Sequence, residues 1–506
     1  MRFSPKVLVV TLAVVALTAL WVLVAPYYST GLVWFLRSTA HFFLPLLVVI
    51  ALTVALWAAA ERTDRDGPRR AGWFVLVGGV VGCLVWVAFV APYQRTQEYA
   101  RSIEVVSDAP PEFSERAPYS VAQAQARSNL GSYPGEIGRT GYLSDEEVFT
   151  TPVIRRGLFA GYEATLEQSV PFQGRAEGEA CEFEDAAGAR AGGSLWANLA
   201  RQINQERRWV RFSEDDVYSY CDGDTPKVVV PLTRQTGLFV VTLRPAGAAV
   251  YDGSTGELSF SAEPDVPGPS YPITLAERQR AASGAMDGFR AWIAGRAGWE
   301  PSDEEVTSGN NSEFGLMTAD GPAWVTPMTR RGAATSISAI STVTSRLEGG
   351  GLATVTVHEL AEAWVSPSAI EQRIQADYRD IPNWQNLSVM EIAPTSGETW
   401  SASIGNEQNI LYRVQGRGDL LGDEATCLYR ADGSEIRCGS LADSDGRGVG
   451  GQYGEDGDPL DPSEAPADPS EAPLDPSVDL DELSDEELRE LLDAVSDEVG
   501  SRLEED

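Results

Sequence analysis

Four cysteines, one histidine and a few close acid pairs are the residues in the polar part of this chain that could do chemistry. Cys427 and Cys438 bracket Leu-Tyr-Arg-Ala-Asp-Gly-Ser-Glu-Ile-Arg, which reads as a hairpin turning at Asp432-Gly433. That turn pairs Ala431 with Ser434, Arg430 with Glu435, Tyr429 with Ile436 and the two cysteines with each other. Opposed strand residues lie about 4.5 to 5.5 Å apart, within disulfide reach. The fifth cysteine, Cys83, is inside an apolar run, so Cys181 and Cys221 form the second bond by elimination. A metal centre fits poorly: the cysteine spacings are not those of a zinc knuckle, and His358 is the sole histidine outside the apolar runs. Asp222-x-Asp224 and Asp443-x-Asp445-Gly446 leave an EF-hand loop incomplete and read as solvated turns.

His358-Glu-Leu-Ala-Glu362 carries the first half of a zincin signature, but glutamate stands where the second histidine is needed. The alternation from Ala353 to Val357 also places His358 at a strand end. The chain has no Gly-x-Ser-x-Gly elbow, no Walker loop and no Ser-x-x-Lys. No catalytic residue is identified and no cofactor or metal is expected. An extracytoplasmic hydrolase acting on cell-wall polymer through paired carboxylates is the enzymatic alternative, since linear order does not give their separation in space.

Three apolar runs, about 7–25, 39–60 and 71–91, must position everything that follows. Each is about long enough to cross ~30 Å of hydrocarbon. The first is longer than the apolar region of a signal peptide and two more follow it, so it is read as an anchor. Gly78-x-x-x-Gly82 in the third lets another helix approach closely and suggests self-association through the membrane helices. His41 is placed at the interface beside Arg37. Arg62, Arg65, Arg69 and Arg70 fill the connection between the second and third runs, against Arg37 alone in the first. The expected topology is therefore a multi-pass plasma-membrane protein with a cytoplasmic N-terminus. Val24-Ala25-Pro26-Tyr27 and Val90-Ala91-Pro92-Tyr93 mark one membrane face, and the region after Tyr93 is extracytoplasmic. A transport or channel subunit is a further alternative, weakened by the scarcity of polar residues in the runs.

Residues 94–150 read as a polar stalk and a helix from Ser120 to Leu130, with Ser144-Asp-Glu-Glu147 as another helix start. Beyond them the chain repeats itself. Pro226-Lys-Val-Val-Val-Pro-Leu-Thr-Arg234 recurs about 95 residues on as Pro322-Ala-Trp-Val-Thr-Pro-Met-Thr-Arg330, and Thr151-Pro-Val-Ile-Arg-Arg-Gly157 aligns with Thr326 to Gly332. Gly157-Leu-Phe and Gly237-Leu-Phe both open β-branched stretches. Candidate helices, Leu275 to Ile293 and Ala369 to Tyr378, follow strand signals at Ala248 to Phe260 and Leu352 to Leu360. The fold class expected is an N-terminal three-helix membrane bundle followed by an extracytoplasmic α+β region of repeated strand-strand-helix modules, at 151–268 and 269–442. The shared proline is read as framing a strand start, and the arginine as pairing within its own module.

Residues 151–162 and 220–232 resemble segments of uncharacterised multi-pass membrane proteins of actinobacteriophages and related actinobacterial mobile elements. That resemblance implies a host or phage origin and brings no activity with it. Tyr251-Asp-Gly-Ser-Thr-Gly-Glu257 is similar to the strand-turn-strand of PepSY-like domains.

Of the formal charge of −35, −19 lies in residues 451–506, so the folded remainder is only moderately acidic and offers no basic face to nucleic acid. Residues 443–482, with Asp-Pro-Ser at 461, 468 and 475, read as a disordered acidic linker. A capping box at Ser484 to Glu487 then starts an amphipathic helix over 483–506, with Leu488, Leu491, Leu492, Val495 and Val499 on one face for an envelope-protein partner. The function expected is membrane-anchored binding or scaffolding in the cell envelope.

Overall fold

A computed structural model describes residues 14, 16–18, 20–22, 25–63, 66–302, 314–332, 335–406, 408–421 and 425–439. Most of the first apolar run, the acidic linker and the C-terminal helix with its Leu488-to-Val499 face lie outside the described residues, as does Asp443-x-Asp445. By contacts, residues 1–444 form one unit and 445–506 another.

Two helices among the described residues are long and apolar enough to cross a membrane, Ala40–Arg62 and Gly67–Ala100. Residues 26–38 are more than the short connection between runs that the sequence suggests. They form helix α1 (Pro26–Ser38), which takes Pro26 in its first turn, where the missing N–H costs nothing. The spans follow as α2 (Ala40–Thr63), α3 (Asp66–Val85), a π-helical turn at Trp86–Val90, and α4 (Ala91–Ala100). Gly72 and Gly79, seven residues apart, face α2, where Trp57 and Val49 leave no room for a Cβ. Gly78 and Gly82 point elsewhere and would meet nothing within 4 Å. The close α2–α3 approach is therefore made on the neighbouring stripe of α3.

Residues 94–118 are not a stalk. The helix continues to Ala100, β1 (Ile103–Val106) pairs in parallel with a strand some 250 residues later, and the segment after it is stitched between two sheets. Polar composition reads as linker when the strand partner is that remote.

Three sheets then share one strand arrangement. The first follows α5 (Tyr119–Asn129) and contains β2 (Glu136–Ile137), β3 (Gly141–Leu143), β4 (Val148–Ile154), β5 (Tyr162–Ser169) and β6 (Glu177–Glu182), in the order β2-β4-β5-β6 with β3 also on β4. Ser144 to Glu147 is the β3–β4 turn, with Glu147 at φ 57°, and starts no helix. The second follows α6 (Leu199–Glu206): β7 (Val210–Arg211), β8 (Tyr218–Asp222), β9 (Thr225–Thr236), β10 (Thr242–Asp252) and β11 (Leu258–Ser261), ordered β11-β10-β9-β7 with β8 on β9.

The third follows α7 (Ile273–Arg280) and α8 (Phe289–Ala294), which are separate helices in place of one from Leu275 to Ile293. Gly288 at φ 88° divides them. It holds β12 (Trp299–Pro301), β13 (Phe314–Thr318), β14 (Gly321–Arg330), β15 (Ile337–Thr344) and β16 (Val355–Trp364), ordered β1-β16-β15-β14-β12 with β13 on β14. The fourth is a plain meander after α9 (Pro367–Tyr378): β17 (Ser388–Pro394), β18 (Thr399–Asn406), β19 (Asn409–Arg417), β20 (Thr426–Arg430) and β21 (Glu435–Cys438).

The recurrent proline is not at a strand start. On one side of β14, β13 pairs with residues 321–325 and β12 with 328–330, and Pro327 falls in the gap between them. Pro231 in β9 lies between the stretches paired with β8 and β7, and Pro152 in β4 between those paired with β3 and β2. A residue in such a gap would present an N–H with no ladder partner, so proline fits the middle of a central strand. Its carbonyl is still used: Pro327 O accepts from Ser302 N–H and Pro152 O from Gly138 N–H.

Each helix packs with the strands after it, and α7 and α9 also touch the sheet before them. Leu275 and Ala276 of α7 share a core with Trp299, Met328 and Val343 of the third sheet, joined by Tyr99 and Ala100 of α4. The domain boundary expected at 150/151 falls inside β4, whereas 268/269 falls between β11 and α7. The largest core lies between the third and fourth sheets, with Val325, Ile340, Trp400, Ile404 and Val414 closed by Ile370 and Tyr378 of α9.

Candidate functional site

The structure joins Cys181 to Cys221, Cα atoms 6.0 Å apart, and Cys427 to Cys438, 3.9 Å apart. The first bond links β6 of the first sheet to β8 of the second, and the second closes the β20–β21 hairpin. In that hairpin Cys427 faces Cys438, but a bulge shifts the rest of the expected register. Tyr429 pairs with Glu435, and Arg430 N–H donates to Ser434 O around a three-residue turn in place of the expected two.

His358 is not at a strand end: it sits inside β16, buried, within 3.3 Å of Thr342 Oγ1 and of the Asp108 carbonyl. Burial holds its imidazole below the usual value, against the opposing pull of Asp108. Its segment is a strand, so the helical zincin geometry is absent. Asp222 is in the β8–β9 hairpin, 2.7 Å from Lys227 Nζ. Among the described residues no group of three or more His, Cys, Asp or Glu side chains could hold a metal ion.

His358 lines a cleft of about 440 Å³ that sequence reasoning missed. The face of the third sheet that buries Ile340 and Val325 against the fourth continues along β15 and β16 as Thr342, Thr344 and Thr356. Thr318, Asp320 and Glu348 complete the polar wall, and Pro111 and Tyr271 lie at its margins. A row of hydroxyls with one imidazole and two carboxylates can hydrogen-bond a polar ligand. Its signal in the sequence is the threonine at every second position, 342, 344, 354 and 356, where a core strand would carry apolar residues.

The acids whose carboxyls are raised lie elsewhere, and each is committed to the fold. Burial pushes Glu167 up, where it accepts from Cys221 N–H at 2.8 Å. Burial also raises Asp216, which accepts from Thr274 N–H and Oγ1–H at 3.0 and 2.7 Å. Burial raises Glu391 against the pull of Arg116, whose Nη1 donates to it at 2.8 Å, and of Tyr119 N–H at 2.7 Å. The Arg116 guanidinium lies 4.0 Å over the Tyr119 ring. Arg330 pairs with Glu359 at 2.6 Å and stacks on Trp299; Arg155 pairs with Glu163 and donates to Phe183 O. These repeated arginines are held by their own sheets.

The polar side of α1 is docked on the second sheet. Trp34 Nε1 donates to Trp209 O, Gln235 Nε2 to Trp34 O, and Arg37 Nη2 to Gly237 O at 2.7 Å. Arg211 lies over the Trp34 ring, and Arg201 over Tyr27 and Tyr28. At the other junction Tyr93 packs against Phe289 and Trp292 of α8. In comparisons with protein families, with curated proteins and with solved structures, the chain has no match.

Proposed function

We propose that this is a membrane-anchored protein of the cell envelope whose disulfide-bonded β-rich region is a binding and scaffolding head outside the cytoplasm. The observation that carries the reading is the continuous helical segment from Gly67 to Ala100, with its π-helical turn, apolar enough to cross a bilayer and ending inside the head's core. Two disulfides suit an oxidising compartment. The arginines that flank the junction of α2 and α3, Arg62, Arg69 and Arg70 with Arg65 between them in sequence, suit the cytoplasmic face. Tyr27 and Tyr93, expected on one membrane face, both touch the head, which agrees with a hairpin of spans returning to the side it left. With residues 7–25 as a further span, the N-terminus is cytoplasmic. The shared strand arrangement of the first three sheets supports repeated modules, each beginning with its helix. Binding is favoured over hydrolysis because the acids with raised carboxyls are occupied by backbone or guanidinium donors, while the open cleft sets Asp320, Glu348 and His358 among threonine hydroxyls.

Trypsin shaving of intact cells tests the placement, with a tag at the C-terminus and a cytoplasmic protein as lysis control. Loss of the tag without loss of the control is expected. A protected tag, with cleavage only after lysis, would place the head in the cytoplasm and overturn the reading.

A further inference from the structure

Large exposed apolar side chains of the head are not scattered evenly. They concentrate on turns next to the membrane helices. The turn after β9 presents Leu238, 64% exposed, and Phe239, and its Gly237 carbonyl is held by Arg37, three residues before α2 begins. The corresponding turn after β4 presents Leu158, 70% exposed, and Phe159, which stacks at 4.7 Å on Trp196, itself 68% exposed. Ser194 N–H donates to Leu158 O, so these two turns form one tip, and Trp196 directly precedes α6, which carries Arg201 onto Tyr27 and Tyr28 of α1. Phe289 packs on Tyr93 where the second span leaves its apolar stretch, and is 41% exposed. Leu195, Trp209, Met286 and Ile293 are exposed as well, each close in sequence to these tips or, for Trp209, bonded to Trp34 of α1; the other exposed large apolar residues among the described residues of the head, Val105, Leu411, Leu421 and Ile436, occur singly.

We propose that the turns carrying Leu158, Phe159, Trp196, Leu238, Phe239 and Phe289 insert into the bilayer interface and seat the head on the lipid surface. The inference rests on the membrane-anchored reading. The occupant follows from continuity: two of the three sites touch residues of this chain within three positions of an apolar span, so a bilayer around those spans reaches the turns. The chemistry agrees, because Trp and Phe beside arginines match the headgroup–acyl boundary, where rings sit at depth and guanidinium groups meet phosphate. Arg201, Arg208 and Arg211 approach α1 from the same side, with Arg208 Nη1 donating to Val22 O.

The test uses the full-length chain with Cys83→Ala, in nanodiscs of equal parts phosphatidylcholine and phosphatidylglycerol. Single Leu158→Cys, Trp196→Cys and Leu238→Cys variants carry an environment-sensitive fluorophore, with Leu421→Cys as aqueous reference and Val77→Cys, within the span, as buried reference. Unchanged thermal unfolding checks each variant. Expected are blue-shifted emission and quenching by lipids spin-labelled high on the acyl chain, severalfold above Leu421→Cys at all three tips. Aqueous spectra at the tips with a quenched Val77→Cys reporter would overturn the inference and leave the anchor standing. An unquenched Val77→Cys reporter would remove the anchor itself. Blue-shifted but unquenched tips would also overturn it, assigning the patch to a protein contact.

Discussion

The first and second sheets meet through divided apolar contacts, whereas the third and fourth share one continuous core. Tyr162 enters the second sheet's cluster, and Leu143 packs separately with Tyr218 and Val229. Between these patches Cys181–Cys221 supplies a covalent tie. The third and fourth sheets instead bury Phe314, Ile340, Trp364, Trp400 and Val414 in one cluster, and Arg116–Glu391 pins the preceding segment to both. A cross-link thus stands where apolar burial is broken up, and a buried ion pair stands where a polar segment has to thread a closed core.

Removing one partner of that ion pair should be the largest effect. Glu391→Ala strands the Arg116 guanidinium in the interior and should cost about 3–5 kcal/mol. Arg116→Met with Glu391→Leu should recover most of it, measured by thermal unfolding of the full chain in detergent. If the single and double variants are equally destabilised, the pair does not act as a unit.

Cys181→Ser with Cys221→Ser should cost about 4 kcal/mol at most from loop closure. The comparison is sharpened by where the loss falls. Hydrogen exchange should quicken over residues 162–182 and 218–236 and stay unchanged over 314–417. Uniform acceleration would show that the halves are not held separately.

The smallest effect concerns the gap prolines. Pro327→Ala introduces a buried N–H between β13 and β12 and should cost about 1–2 kcal/mol. Pro152→Ala, half-buried in the equivalent gap, should cost less. Equal losses would mean that burial of the gap is not what matters.

Much of this was legible in the sequence, and what was not has definite causes. The Cys427 hairpin follows from local turn chemistry, and its cysteine pairing could be read directly; only the bulge that accompanies the three-residue turn displaces Tyr429. The Pro-x-Thr-Arg copies could be found by alignment, but the role of their proline depends on where two other strands end. Which strands a helix covers depends on tertiary packing, so α7 was grouped with the strands before it. Residues 103–106 carry no mark of a partner as distant as 355–358. Of the cleft, His358 was singled out, but its threonine walls are apparent only once β15 and β16 lie side by side. The Gly-Leu-Phe copies were noticed as strand openings, since exposure is not written in local sequence.

The helical segment from Gly67 to Ala100 has a mechanical corollary. At 1.5 Å per residue it is about 50 Å long, well beyond the thickness of a hydrocarbon core, and its end is fixed in the head. A piston shift or axial turn of this rod reaches Tyr99 and Ala100 through the π-helical turn at Trp86–Val90, where the regular hydrogen-bond ladder changes and a bend can be absorbed. Each residue added to such a rod turns its far end by about 100°. Because Arg37 also donates to the Gly237 carbonyl, the β-rich region meets the apolar helices at a second point, and turning one against the other has to break that hydrogen bond.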